Sequence, residues 1–223
     1  MSLKFIIFIV TLSVGNCYSQ TSGRVTYAVV LDEDTNKDKD PEIEAIRDVA
    51  KKQTFSLQFN SDLSQFTSNE NLNVNPFYNK MAYVSYTCGY DFFYDKTSKL
   101  QLFRKQGNTL IQSKSKSVNW VITSETKLID KYLCFKAEYN LEYLAADNVM
   151  KKRSIVAWFA PSIPFPFGPK EYYGLPGLIL ELKEWDTVFI ATKIELSENL
   201  INISFPKGKV ISEVEYDQRV GKY

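Results

Sequence analysis

The chain of 223 residues contains no histidine. That removes the usual general base near neutral pH and the commonest metal ligand, so catalysis would have to rest on carboxylate pairs, Ser-Lys dyads, cysteine or tyrosine. Cysteine is scarce as well, with three in the whole chain and no close spacing between them, which argues against a metal centre. Net charge is nearly absent: 27 basic residues face 26 acidic ones. A nucleic-acid partner is therefore not expected, because the basic footprint is missing and Lys151-Lys152-Arg153 suits a solvated hairpin turn. Also missing are a Gly-x-Ser-x-Gly elbow, a phosphate-cradling glycine loop and a dinucleotide fingerprint. No cofactor is expected.

Long apolar runs are lacking too. The longest, Phe5 to Leu12, is too short for a membrane-spanning helix, which needs about 20 residues. With Lys4 before it and the small polar stretch Ser13 to Ser19 after it, residues 1–19 read as a signal peptide, cleaved to leave Gln20 at the new N-terminus. A lipoprotein reading at Cys17 competes, but Asn16 stands where a small residue is wanted. The expectation is an exported protein of the periplasm or the outer-membrane or cell surface, with no transmembrane segment after cleavage. Residues 20–223 are expected to form a single β-rich domain.

What is present is alternation. Val25, Tyr27 and Val29 make one apolar face and Phe55, Leu57 and Phe59 another. Further strand-like stretches follow at 82–86, 91–94, 100–103, 109–112, 119–123, 132–141, 154–159, 178–183 and 188–195, separated by turn chemistry at 95–98, 107–108, 147–148 and 184–186. One helix is predicted, with Asp40 as cap, Pro41 in its first position, and Ile43, Ile46, Val49 and Ala50 at helical spacing. The tail from Val210 to Tyr216 reads equally as strand or short helix. The fold expected is a strongly curved antiparallel sheet, similar to a half-barrel, with one covering helix; a two-sheet β-sandwich is the alternative.

Cys88 and Cys134 survive signal cleavage and are expected to pair as a disulfide in an oxidising compartment, with two buried thiols as the competing reading. Asp32, Asp34, Asn36 and Asp38 alternate as in a calcium loop, yet Lys37 and Ile43 occupy the places of the turn glycine and the bidentate Glu. A solvated loop is the simpler reading, and no metal site is assigned.

One segment carries a signature. Trp120, then Tyr132, Cys134, Lys136 and Ala137, then Ala157-Trp158-Phe159, Ile163-Pro164 and Gly168-Pro169, and finally Gly174-Leu175-Pro176-Gly177-Leu178-Ile179 follow in a specific order and spacing. In these residues the chain resembles the GLPGLI family, exported proteins found mainly in Bacteroidota. The resemblance implies export and supplies no catalytic residues. Physically, Leu175-Pro176-Gly177-Leu178 reads as a type II turn, with φ > 0 expected at Gly177 and Gly174 beside it. Ile163 to Pro169, with three prolines, cannot be helical and should run extended, with Phe165 and Phe167 as core plugs or as an aromatic lid.

The function expected is non-enzymatic: binding of an apolar or peptidic ligand, or of an envelope partner protein, through an aromatic-lined face that includes Trp158, Phe165, Phe167, Tyr172 and Tyr173. The alternative is a hydrolase built on carboxylates drawn from Glu171, Glu181, Glu184 and Asp186.

Overall fold

A computed structural model describes residues 21–32, 40–69, 73–87, 89–105, 109–114, 118–145 and 148–219. The leader, Cys88 and most of the acidic loop therefore lie outside the described residues. The protein is mainly β. Twelve strands build one sheet: β1 (Ser22–Leu31), β2 (Thr54–Asn60), β3 (Leu63–Ser68), β4 (Asp91–Asp95), β5 (Leu100–Arg104), β6 (Thr109–Lys114), β7 (Val121–Ile129), β8 (Tyr132–Leu144), β9 (Met150–Ala160), β10 (Leu178–Glu184), β11 (Thr187–Ser197) and β12 (Lys209–Ser212). The order is β12-β6-β5-β4-β3-β2-β1-β11-β10-β9-β8-β7, and the sheet is not closed. Every described pairing is antiparallel except β12 with β6.

Alternation decides which side each residue takes. Val25 pairs with Leu57 and Tyr27 with Phe55 in the register of β1 and β2, and all four are buried. The same face continues through Phe189, Leu182, Ala157 and Ala137, each paired with the next across β11, β10, β9 and β8. Tyr27 places a phenol in this apolar layer, and its OH donates to the Ile179 carbonyl at 2.6 Å. Burial holds that phenol in its neutral form far above its usual range.

The predicted helix forms as α1 (Pro41–Lys51), with the Asp40 carboxylate accepting from the Glu42 N–H at 2.8 Å. Two further helices exceed the expectation of one: α2 (Pro76–Ala82) and α3 (Glu213–Arg219). A π-helical turn, Tyr83–Thr87, continues α2 and occupies the stretch expected as a strand at 82–86. The apolar residues there alternate, but Asn75 caps and Pro76 starts a helix that carries through them. The ambiguous tail resolves into both options, strand β12 followed by α3. Among the described residues, no helix is long and apolar enough to cross a membrane.

Candidate functional site

Between β9 and β10 the chain leaves the sheet edge and runs as an extended strap, Ile163 to Pro169. Its prolines forbid helix, and two tight turns of the i→i−2 type, Phe165 N–H to Ile163 O at 2.8 Å and Phe167 N–H to Phe165 O at 2.9 Å, give it a pleated course. The strap is tied to the start of β10 by Leu178 N–H to Ile163 O at 2.9 Å and Ile179 N–H to Phe167 O at 3.0 Å. Phe165 and Phe167 are buried, 4.7 and 6.3 Å from the Phe59 ring centre. They pack as core plugs.

The turn that follows differs from the expected type. Positive φ belongs to Gly174, at 93°, and not to Gly177. Gly177 is constrained by proximity instead, since a Cβ there would lie 2.3 Å from the Ala160 carbonyl oxygen. The signature's last glycine lets two backbones touch where the strap re-enters the sheet.

The strap ends in Lys170-Glu171-Tyr172-Tyr173, and here polar groups meet the concavity. Tyr172 is buried, and its OH donates to Glu184 at 2.8 Å. Lys170 donates to the same carboxylate from the other side, forming a largely buried ion pair. Burial first, then the Glu184 and Glu171 carboxylates, push the Tyr172 phenol far above its normal range. Tyr173 stacks on Tyr94 of β4 with ring centres 4.0 Å apart, and its carbonyl accepts from the Trp120 indole N–H at 3.0 Å.

Two cavities open beside this cluster. One, of about 240 Å³, lies between Tyr90, Phe92, Phe103 and Ile111 on the sheet side and Glu213, Tyr216 and Asp217 of α3, with Lys170 and Glu171 at its floor. The other, of about 200 Å³, is lined by Phe103, Tyr139, Tyr172, Glu171, Glu184 and Glu213, among others. Glu213 accepts from the Ser113 hydroxyl at 2.7 Å, which fixes the first turn of α3 against β6. Tyr90 is pushed up to about 12, by burial first and then by Tyr216, Asp217 and Glu213. A third space of about 330 Å³, on the far side of the Lys170–Glu184 pair, is bordered by Tyr86, Trp185 and Asp186.

Of the five aromatic residues expected to bind a ligand, the structure brings only Tyr172 to a cavity wall. Phe165 and Phe167 are core, and Tyr173 joins the strap to Tyr94 and Trp120. Trp158 lies on the opposite face from Ala157 and Phe159, where Lys127 Nζ sits 4.4 Å above its ring. The candidate carboxylates divide similarly: Glu181 pairs with Lys127 at 2.6 Å on that opposite face, while Glu171 and Glu184 share a cavity. Cys134 is buried with a free thiol, its partner in the expected bridge, Cys88, lying outside the described residues. Burial raises that thiol to about 11. The alternating acidic loop also lies outside them except for its ends, and no metal-ligating cluster occurs among the described residues. Tyr90, Phe92, Phe103, Glu213, Tyr216 and Asp217 were not anticipated as site residues, because they come from segments far apart in sequence. The polar run that follows Pro169 was the one local signal for them.

Comparisons bear on the fold and the signature. Structures of PNGF-II in space groups P21 and C2 superimpose with TM-scores of 0.57 and 0.58 at 14% identity. Each covers 91% of this chain, which spans about 33% of the PNGF-II chain. At that identity the likeness is one of fold. No curated protein sequence matches. A family model described as a protein of unknown function (Porph_ging) matches residues 143–181, from the end of β8 through the strap into β10. Those residues include the whole Gly174–Ile179 string, and the chain thereby carries the GLPGLI-family domain of unknown function.

Proposed function

We propose that this protein is an exported, non-enzymatic binding module of the cell envelope, which takes an apolar or peptidic ligand in the cleft between the strap's end and α3. The reading includes a curved sheet. Tyr94 on β4 and Trp120 just before β7 both meet Tyr173, although β4 and β7 stand eight places apart in the strand order. Residues of β5, β6 and β8 also border one cavity. Both contacts are what a sheet wrapped around its strap, as an open half-barrel, would produce.

The observation that carries the functional reading is the aromatic wall of Tyr90, Phe92 and Phe103, facing an open space of about 240 Å³. Concave sites lined by apolar surface with a few polar groups are where ligands bind. The hydrolase alternative would need Glu184 as a free acid or base, whereas Lys170 and Tyr172 already hold it. A fluorescent apolar probe such as ANS should bind the native protein at micromolar concentration and be displaced by an aromatic-rich peptide. Phe103→Ser, with folding retained by circular dichroism, should weaken binding at least fivefold. Native protein that ignores the probe while unfolding cooperatively would overturn the reading, and turnover of a substrate library would favour the hydrolase.

A further inference from the structure

The two cavities beside the strap share Phe103, Glu171 and Glu213, and together their walls carry four carboxylates, Glu171, Glu184, Glu213 and Asp217, against the single ammonium of Lys170. Lys170 and Glu184 face each other as an ion pair, so the remaining acidic groups dominate the field inside. The walls between them are aromatic, and an aromatic face adds attraction for a cation that a carboxylate has already drawn in. The raised phenols of Tyr90 and Tyr172 report the same negative surroundings.

A second, independent observation says what this place accepts. An ammonium from the chain itself already lies at its rim: Lys105 Nζ sits 5.7 Å from the Tyr90 ring centre and 5.8 Å from that of Tyr216, and donates to the Tyr216 hydroxyl at 3.1 Å. Tyr90 and Tyr216 are both walls of the first cavity. Lys105 is exposed and reaches in from the end of β5, so an incoming cation competes with a tethered side chain and not with buried structure.

We infer that the cleft selects ligands bearing a primary ammonium on a flexible aliphatic stem, the stem lying against Phe92 and Phe103 and the charge meeting Glu213, Asp217 and the Tyr90 and Tyr216 rings. This rests on the binding-module reading and names its ligand class. A lysine side chain of a peptide and a free diamine present the same chemistry.

Calorimetric titration of the whole chain with N-acetyl-lysine amide, its norleucine counterpart and pentane-1,5-diamine tests it. The lysine compound should bind at least tenfold tighter than the norleucine compound, which has the stem without the charge, and should weaken as NaCl is raised. Tighter binding of the diamine would identify free amines as the source, and tighter binding of the lysine amide would identify peptides. Glu213→Gln and Asp217→Asn should each weaken binding at least threefold with unchanged circular dichroism. Lys105→Met, which vacates the rim, should tighten it severalfold, an effect that no general loss of structure produces. Equal binding of the lysine and norleucine compounds, or ANS binding without amine binding, ends the inference and leaves the binding module standing. Failure of every probe ends both.

Discussion

A methyl group added at Gly177 would collide with backbone, 2.3 Å from the Ala160 oxygen and 2.9 Å from the Pro161 Cα, neither of which is free to swing aside. Gly174 has the opposite problem: nothing stands within 4 Å of its missing Cβ, but its φ of 93° suits few side chains. The two glycines should therefore respond differently to the same replacements. Gly177→Asn and Gly177→Val should both destabilise, by about 2 kcal/mol or more, since tolerance of left-handed backbone does not help a residue that has no room. Gly174→Asn should cost less than Gly174→Val, by about 1 kcal/mol. Urea midpoints of the four variants check this, and a mild Gly177→Asn beside a severe Gly177→Val would restore the type II turn. Tyr27 offers a second test. Its folded-state proton is held well above the unfolded value of 10.0, so the stability it contributes is complete below pH 10 and is lost as pH rises beyond that. Tyr27→Phe leaves the Ile179 carbonyl without its donor, which should cost about 1–2 kcal/mol at pH 8. It should also make the fall in stability between pH 8 and pH 11 shallower than in the native protein, as denaturant titrations at both values would measure.

Among the elements, the strap is the one whose role is settled by burial. Phe165→Ala and Phe167→Ala each remove a ring from a filled space, and cavities of that kind cost about 3–5 kcal/mol apiece. The double variant should lose cooperative unfolding by calorimetry altogether, whereas a folded double variant that only lost ligand would make the pair a lid. Much of this architecture was legible from the residues. Strands with strict alternation, such as 55–59, 91–94 and 100–103, stand where the pattern puts them, and α1 follows its Asp40-Pro41 start. Asn75-Pro76 carries the same capping chemistry as Asp40-Pro41, yet the alternating apolar residues after it point to a strand, and the cap prevails. β3, Leu63–Ser68, has only two apolar residues and six positions, so its place is fixed by pairing with β2 and β4 and not by its own pattern. The site was less legible, for a physical reason. Its walls are drawn from β4 and β5, from the strap's end and from α3, and only tertiary packing brings Tyr90, Glu171 and Glu213 to one cavity. Trp158 illustrates the converse: its size suggested a binding face, but its parity in β9 puts it on the side away from the core, under Lys127.

At the scale of the whole molecule, the question is what joins the two halves of a sheet that does not close. β4 and β7 share no hydrogen bond, being separated in the order by seven strands, yet both neighbourhoods reach Tyr173 through Tyr94 and Trp120. The residue after the strap thus acts as a clasp between the arms in the proposed wrapped sheet. If the arms were independent, substitutions on Tyr94 and Trp120 would add, because residues without a shared partner combine within about 0.5 kcal/mol. If Tyr173 holds them together, losing one contact should loosen the tyrosine and devalue the other. Tyr94→Ala removes the ring stacked 4.0 Å from Tyr173, and Trp120→Phe removes the indole donor to its carbonyl while keeping an aromatic ring. The double variant should therefore be less destabilised than the sum of the singles, by about 0.5–1.5 kcal/mol in a double-mutant cycle of urea unfolding. The same cycle in a Tyr173→Ala background, where the clasp is absent, should return to additivity. Additive singles in the native background would mean that each arm packs on the strap without reference to the other.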